Sequence, residues 1–249
     1  HKRSMLPYAI ALDPVARAGE TLAALIYRRG DVAESGISIP FAVRGEDDLG
    51  PDMQAQEPDH LTRFALVGRI GLKEEARASE AAAFVPQPRG AADALGILDA
   101  LRRTGALPAH NRTNPRDGIY ESDTGEIVLD GRAGQFRVST AATQGVAWSN
   151  LRAPVDLGVV SVRSAEGAGI IAVSSIEEGA ALSDGRRFLV VFATDARNTA
   201  MRFRDRAEKT IEDFGRLPVL IRKGRADVAL GREGRWKLSP VGLDGAVHE

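Results

Sequence analysis

The feature that most constrains this chain is a change of pattern across residues 107–118, LPAHNRTNPRDG, a stretch rich in Pro, Asn and Gly. Before it, helical and strand patterns alternate. After it, short apolar runs follow one another between turn signals. The chain therefore predicts an α/β region followed by an all-β region.

In the first half the clearest element is a helix over Pro14–Arg29. Asp13 caps it and Pro14 suits its first turn, where no intrahelical N–H bond is needed. Val15, Ala18, Leu22, Leu25 and Ile26 fall on one face at helical spacing. Arg28 and Arg29 complement the C-terminal dipole, and Gly30 supplies a left-handed stop. Gly36–Val43 reads as a strand, residues 44–57 as an acidic loop, Pro58–Gly68 as a short helix and Ala81–Pro86 as a second strand. Ala91–Thr104 is a second helix with Ala94, Leu95, Leu98 and Leu101 as its stripe. This order predicts a small, mostly parallel α/β unit. No glycine-rich phosphate fingerprint follows either strand, so no nucleotide cofactor is expected.

In the second half, Glu126–Leu129 and Gln135–Thr140 flank a glycine-containing turn and read as a hairpin. Val155–Arg163, Gly169–Ser175, Arg187–Thr194, Leu217–Arg222 and Arg225–Leu230 follow at intervals that suit an antiparallel β-sandwich. Phe188–Thr194, the most apolar stretch, reads as a buried strand. A complete eight-fold barrel needs about 250 residues with a helix after every strand, and the β-only second half lacks those helices.

Composition closes several function classes. The 249 residues carry 33 basic and 34 acidic side chains, a net charge of −1, so bulk electrostatics draws in no nucleic acid. No apolar run approaches the roughly 20 residues that span a bilayer, so no membrane partner is expected. With no cysteine, disulfides, thiolate metal sites and cysteine nucleophiles are excluded. The opening His-Lys-Arg-Ser-Met lacks a signal-peptide core, and a start on His predicts an excised piece of a longer chain.

Several stretches resemble a family of bacterial glycoside hydrolases with an α/β-barrel (TIM-barrel) catalytic domain and C-terminal accessory domains. They are Asp13–Val32, with its Arg29-Gly30-Asp31 turn; Gly118–Val138 (GIYESDTGEIVLDGRAGQFRV) with Ser139–Gly145; Val173–Ser183; Arg187–Met201 (RFLVVFATDARNTAM); and Asp213–Leu220. Ile176-Glu177-Glu178-Gly179 departs from the Leu-Asp-Gly turn usual there, and Ala200 stands where glycine is common. The resemblance implies that 1–32 ends the barrel domain with its last helix, that 33–110 is a small α/β domain and that 111–249 is an antiparallel β-sandwich. That order is similar to that of multidomain β-galactosidases. It also implies that the catalytic carboxylates, which sit at the ends of barrel strands, lie upstream of His1. The implied partners are the chain's own upstream barrel and a carbohydrate substrate. No cofactor is implied, and a secreted or periplasmic setting is favoured. A stand-alone carbohydrate-binding or scaffolding module is the alternative.

Individual candidates are read against plainer roles. Asp123-Thr124-Gly125 spells the aspartic-protease triplet, but in a single copy after two polar residues, and reads as a turn. Glu121, Asp123, Glu126 and Asp130 offer carboxylates for a glycosidase pair about 5–9 Å apart. Acids around a hairpin are ordinarily solvated. His1, Lys2 and Arg3 contact substrate if they follow the last barrel strand; their plainer role is a frayed basic terminus. Trp148 and Trp236 are the sole tryptophans. Trp148 is a candidate sugar contact, and both otherwise read as core or interdomain residues. Asp195, Arg197 and Asn198 form a polar knot after a strand and read as a turn network. His1, His60, His110 and His248 lack ligand spacing, and no metal is expected.

Overall fold

Asp13 opens the first described element as its sequence predicts. Its Oδ1 accepts from the backbone N–H groups of Val15 at 3.0 Å and Ala16 at 3.1 Å. The helix α1 runs from Pro14 to Arg29. It ends at Gly30, whose φ of 62° lets the N–H of Asp31 return to the Ile26 carbonyl. A computed structural model describes residues 13–43, 63–74, 85–86, 91–205, 208 and 210–248. Two α-helices and many short strands, most of them paired antiparallel, make up the described residues. The chain divides into two compact units, Val32–Val138 and the combination of His1–Asp31 with Ser139–Glu249.

In the Val32–Val138 unit, β1 (Ser38–Val43) pairs in parallel with β2 (Arg69–Glu74) and with β3 (Val85–Pro86). The helix α2 spans Ala91–Arg103. Antiparallel β4 (Ile119–Glu121), β5 (Ile127–Asp130) and β6 (Gln135–Ser139, running one residue past the unit) form a meander. Asp130 faces Gln135 across the expected turn. One core unites these parts: Ile37, Ile39, Phe64, Val67, Ala94, Leu98, Leu107 and Tyr120 are buried together. Tyr120 and the partly buried Leu129 belong to it although they follow the Pro/Asn/Gly-rich stretch. Phe64 meets the Tyr120 ring edge-on, with centroids 6.0 Å apart.

The sequence reading finds α2 and β1 and misses β2. Arg69–Glu74 alternates too weakly to read as a strand, and its pairing with β1 is a non-local choice. Of the helix expected over Pro58–Gly68, residues 63 and 64 are helical and a turn follows, while residues 58–62 lie outside the described residues. The loop at 44–57 also lies outside them, as do residues 81–84 of the second strand.

In the other unit, β10 (Gly169–Ser175) pairs antiparallel with β7 (Thr143–Trp148) and with β11 (Phe188–Ala193). A second antiparallel set joins β9 (Val160–Ala165) to β8 (Val155–Asp156) and to β16 (Ala226–Leu230). Side chains of both sets meet in one core: Val146, Trp148 and Ile171 from the first, Val155 and Val162 from the second. Val173, Val160 and Leu182 extend it. Gly145 sits opposite Ala172, where a Cβ would lie 2.7 Å from the Ala172 methyl, so only glycine fits that approach. Smaller ladders join β12 (Ala196–Thr199) to β15 (Arg216–Ile221) and β13 (Arg202–Phe203) to β14 (Ile211–Asp213).

Two expectations change here. Val155–Arg163 is broken into β8 and β9 by a turn in which the Leu157 N–H returns to the Val160 carbonyl. Phe188–Thr194 is a strand, but not a buried one. Val191 and Ala193 point inward while Val190 and Phe192 remain 42% and 40% exposed, because alternate side chains of a strand point to opposite faces of the sheet and only one face of β11 meets the core.

Candidate functional site

Among the described residues of the unit formed by His1–Asp31 and Ser139–Glu249, a well-connected polar group grows from the end of α1. Gly30 turns the chain so that Asp31 comes back beside Arg29. The guanidinium Nε donates to Asp31 Oδ1 at 2.9 Å, and Nη2 bonds Asp31 Oδ2, Thr143 Oγ1 and Ser174 Oγ. Nη1 donates to the Ser175 carbonyl. Thr143 Oγ1 donates in turn to Asp31 Oδ2 at 2.7 Å. The Asp31 side chain is 3% exposed and that of Arg29 is 21% exposed. The Arg-Gly-Asp turn is thus a clamp that fastens α1 to β7 and β10. None of the buried side-chain polar atoms of this group lacks a hydrogen-bond partner, as a structural clamp requires.

A second knot lies in the Val32–Val138 unit, and sequence reasoning missed it. Glu121, with a side chain 9% exposed, accepts from the Arg112 backbone N–H and from its Nε and Nη2. Asn111 donates to the carbonyls of Glu121 and Ser122, and Thr113 both donates to and accepts from the Glu121 main chain. In the sequence, residues 111–113 mark only part of the change of pattern at 107–118. Their signal is the run of Asn, Arg and Thr, side chains that satisfy backbone groups where no ladder does.

The other proposed carboxylates have structural partners as well. Asp130 Oδ1 accepts from the Ala133 N–H inside the hairpin turn at 2.8 Å. Glu126 Oε2 accepts from the Ala33 N–H at 2.7 Å. Asp123 Oδ2 accepts from the Gly36 N–H at 2.8 Å and from that of Ile37 at 3.3 Å. Its Oδ1 is buried without a hydrogen-bond partner. Gly36, Ile37, Ser38, Ala106, Pro108 and Asp123 line a cavity of about 430 Å³ there. Gly125, at φ 77°, closes the turn from the Ser122 carbonyl, the local structure expected of the Asp-Thr-Gly triplet.

The remaining candidates separate. Trp148 is 4% exposed, and its indole N–H donates to the Gly167 carbonyl at 2.6 Å, which places it in the core. Trp236 is 44% exposed. Arg197 bonds Asp195 at 2.8 Å and Glu208 at 2.6 Å and lies over the Phe203 ring. Asn198 donates to the Phe214 carbonyl; Arg197 and Asn198 lie on β12, so the expected turn network is instead a paired strand whose side chains bond the segments beside it. Those carboxylate hydrogen bonds, Asp195 first, raise the Arg197 pKa against a desolvation that lowers it. His1, Lys2, Arg3 and His60 lie outside the described residues. Among the described residues no group of His, Asp or Glu gathers as a metal site would require, and no helix is long and apolar enough to cross a membrane.

No known family matches this chain, and neither a curated protein nor a solved structure matches it.

Proposed function

We propose that this chain is the non-catalytic C-terminal region of a glycoside hydrolase, supporting an upstream barrel domain that hydrolyses glycosidic bonds in oligo- or polysaccharides. The observation that carries the reading is the state of α1. Its apolar stripe is well formed, yet Val15, Ala18, Leu22, Leu25 and Ile26 are each only half-buried and none of its 16 residues is fully buried. An isolated helix of this length is marginal in water and needs a packed face. Here the C-terminal end is fastened by the Arg29–Asp31 clamp while the stripe lacks full cover. An outer barrel helix buries that stripe on barrel strands, and the clamp would hold the accessory region in register with it.

In the finer version of this reading, the parallel strands and α2 form a small linking α/β domain, and the two antiparallel sets of β7–β11 and β16 form a β-sandwich. The structural engagement of Glu121, Glu126 and Asp130 agrees with a catalytic pair located elsewhere. A stand-alone carbohydrate-binding module is the second reading, and the exposed Trp236 favours it.

The test is hydrolysis of a panel of aryl-glycosides and polysaccharides by this chain and by the longer protein that would contain it. Turnover by the longer protein alone is expected. Turnover by the 249-residue chain would overturn the reading and return attention to Asp123 and its cavity.

A further inference from the structure

Between α2 and the segment 111–116 runs an open groove of about 750 Å³, lined entirely by residues of the Val32–Val138 unit. Its walls carry the guanidinium groups of Arg102, Arg112 and Arg116 against a single carboxylate, that of Asp99. Two of these arginines are fixed in place. Arg102 Nη2 donates to the carbonyls of Asn111 and Thr113, both at 3.0 Å. Arg112 donates from Nε and Nη2 to Glu121 Oε1, at 2.9 and 2.8 Å. An arginine has five N–H donors, so each keeps others beyond those bonds. Arg116 is exposed, on a turn where its backbone N–H donates to Asn114 Oδ1 at 3.1 Å. Glu121 balances the charge of Arg112, which leaves Arg102 and Arg116 against Asp99 and the groove with positive charge in excess.

One face of α2 supplies the other wall, where Leu95, Gly96, Asp99 and Arg102 recur at helical spacing. Leu95, expected in the core stripe, is half-buried here and stands outside the cluster that holds Ala94 and Leu98. A glycine inside a helix weakens it relative to alanine, and is of use where something approaches the main chain closely. A Cβ at Gly96 would meet nothing within 4 Å, so no neighbour among the described residues requires the glycine. Its bare backbone instead deepens the groove beside the arginines. Guanidinium groups match the oxygens of a phosphate or carboxylate in paired hydrogen bonds. A carboxylate such as Asp99 only accepts, so it opposes a bare anion and suits a hydroxyl donor. Small-molecule sites have volumes of about 300–1,000 Å³, a range that includes this groove. We propose that it binds a small, hydroxylated organic anion, with a phosphate or carboxylate head on the arginines and hydroxyl groups along Gly96 and Asp99. This site does not rest on the hydrolase reading and stands or falls apart from it.

Calorimetric titration of the intact chain tests this with sorbitol 6-phosphate and gluconate, matched polyols that carry the two heads. Sorbitol and inorganic phosphate are the controls. At least one of the polyol anions should bind saturably up to the millimolar range, at least tenfold tighter than either control, and the tighter one names the head group. Arg116→Ala removes an exposed side chain and should weaken that binding at least tenfold, with circular dichroism and melting temperature unchanged. Gly96→Leu fills the groove and should abolish binding while the melting temperature rises by a few degrees, because leucine is the better helix former and nothing stands in its way. Should Gly96→Leu fail to fold, Arg116→Ala decides alone. Saturable binding of neither polyol anion overturns the proposal, as does binding that Arg116→Ala leaves unchanged. Inorganic phosphate held as tightly as the polyol anions would make the groove an adventitious ion site only, and overturns it too.

Discussion

Arg29 and Asp31, separated by one left-handed glycine, face each other as an ion pair whose carboxylate is 3% exposed. The pair is completed by the hydroxyls of Thr143 and Ser174. Burying two charges costs several kcal/mol each unless their remaining donors and acceptors are matched, and this site matches them. A motif at the end of one helix is therefore explained by hydroxyls that follow it by more than a hundred residues, at positions 143 and 174.

Breaking that pair from one side should cost far more than removing it whole. Arg29→Ala leaves the buried Asp31 carboxylate without its counter-charge and should lower unfolding free energy on the order of 3 kcal/mol. Asp31→Ala strands the guanidinium and should cost a similar amount. The double substitution should then cost clearly less than the sum of the two. Urea unfolding of the three variants measures this directly, and strict additivity would mean the two residues are not coupled.

The turn that leads from β12 towards β13 carries a conflict at Ala200, which stands where glycine is common. Ala200 has a φ of 61°, a region that costs a residue with a Cβ about 1–2 kcal/mol. Ala200→Gly removes that strain but adds unfolded-chain entropy worth about 0.5–1 kcal/mol. A net gain of about 0.5 kcal/mol is expected. Gly215 lies against the same turn, and a Cβ there would stand 2.3 Å from the Thr199 carbonyl oxygen. Gly215→Ala should therefore destabilise by about 3 kcal/mol. Paired thermal melts of the two variants should move in opposite directions.

How much of this was legible in the sequence depends on how local the cause was. The α1 limits, the 130–135 turn and the strand at Gly169–Ser175 follow from caps, glycines and apolar runs within a few residues. What failed was non-local. Strand β7 carries little strand signal of its own, because Gly145 and Ala147 have little propensity for one, and its place is set by Ala172 across the ladder. Tyr120 is a core residue because Phe64 waits for it, a contact no window of the sequence contains. Of the candidate carboxylates, the sequence supplied the names and the structure supplied their partners. Trp236 reads as a core or interdomain residue in the sequence, because a large aromatic side chain is usually well buried, yet it is 44% exposed.

Glu121 offers a way to separate a structural acid from a chemical one. Glu121→Gln keeps an acceptor for the Arg112 N–H but loses the charge that Arg112 pairs with, and should cost about 1–2 kcal/mol. If the acid is structural, a longer, hydrolytically active protein carrying Glu121→Gln should retain its kcat while melting earlier. A loss of kcat of a hundredfold or more, with the melting temperature unchanged, would assign Glu121 to the reaction.

Tyr120 should make the Val32–Val138 unit sensitive to alkali. Burial raises its pKa above the ordinary 10.0, and the nearby Arg63 guanidinium lowers it in part without reversing the direction. The ring is fully buried, and the Arg63 guanidinium lies 5.9 Å from its centroid. The raised value means that the folded state holds the phenol proton more tightly than the unfolded chain does. The stabilisation that follows is complete below the unfolded value of 10.0 and is lost as pH rises through the higher folded one. Tyr120→Phe removes the proton and with it this dependence, at a cost of about 1 kcal/mol near neutrality for the lost hydroxyl interactions. Unfolding free energy plotted from about pH 7 to about pH 11 should therefore be lower for the variant at neutral pH and fall less steeply above pH 10. Parallel curves for the two proteins would show that the phenol titrates alike in both states, and that its burial carries no proton linkage.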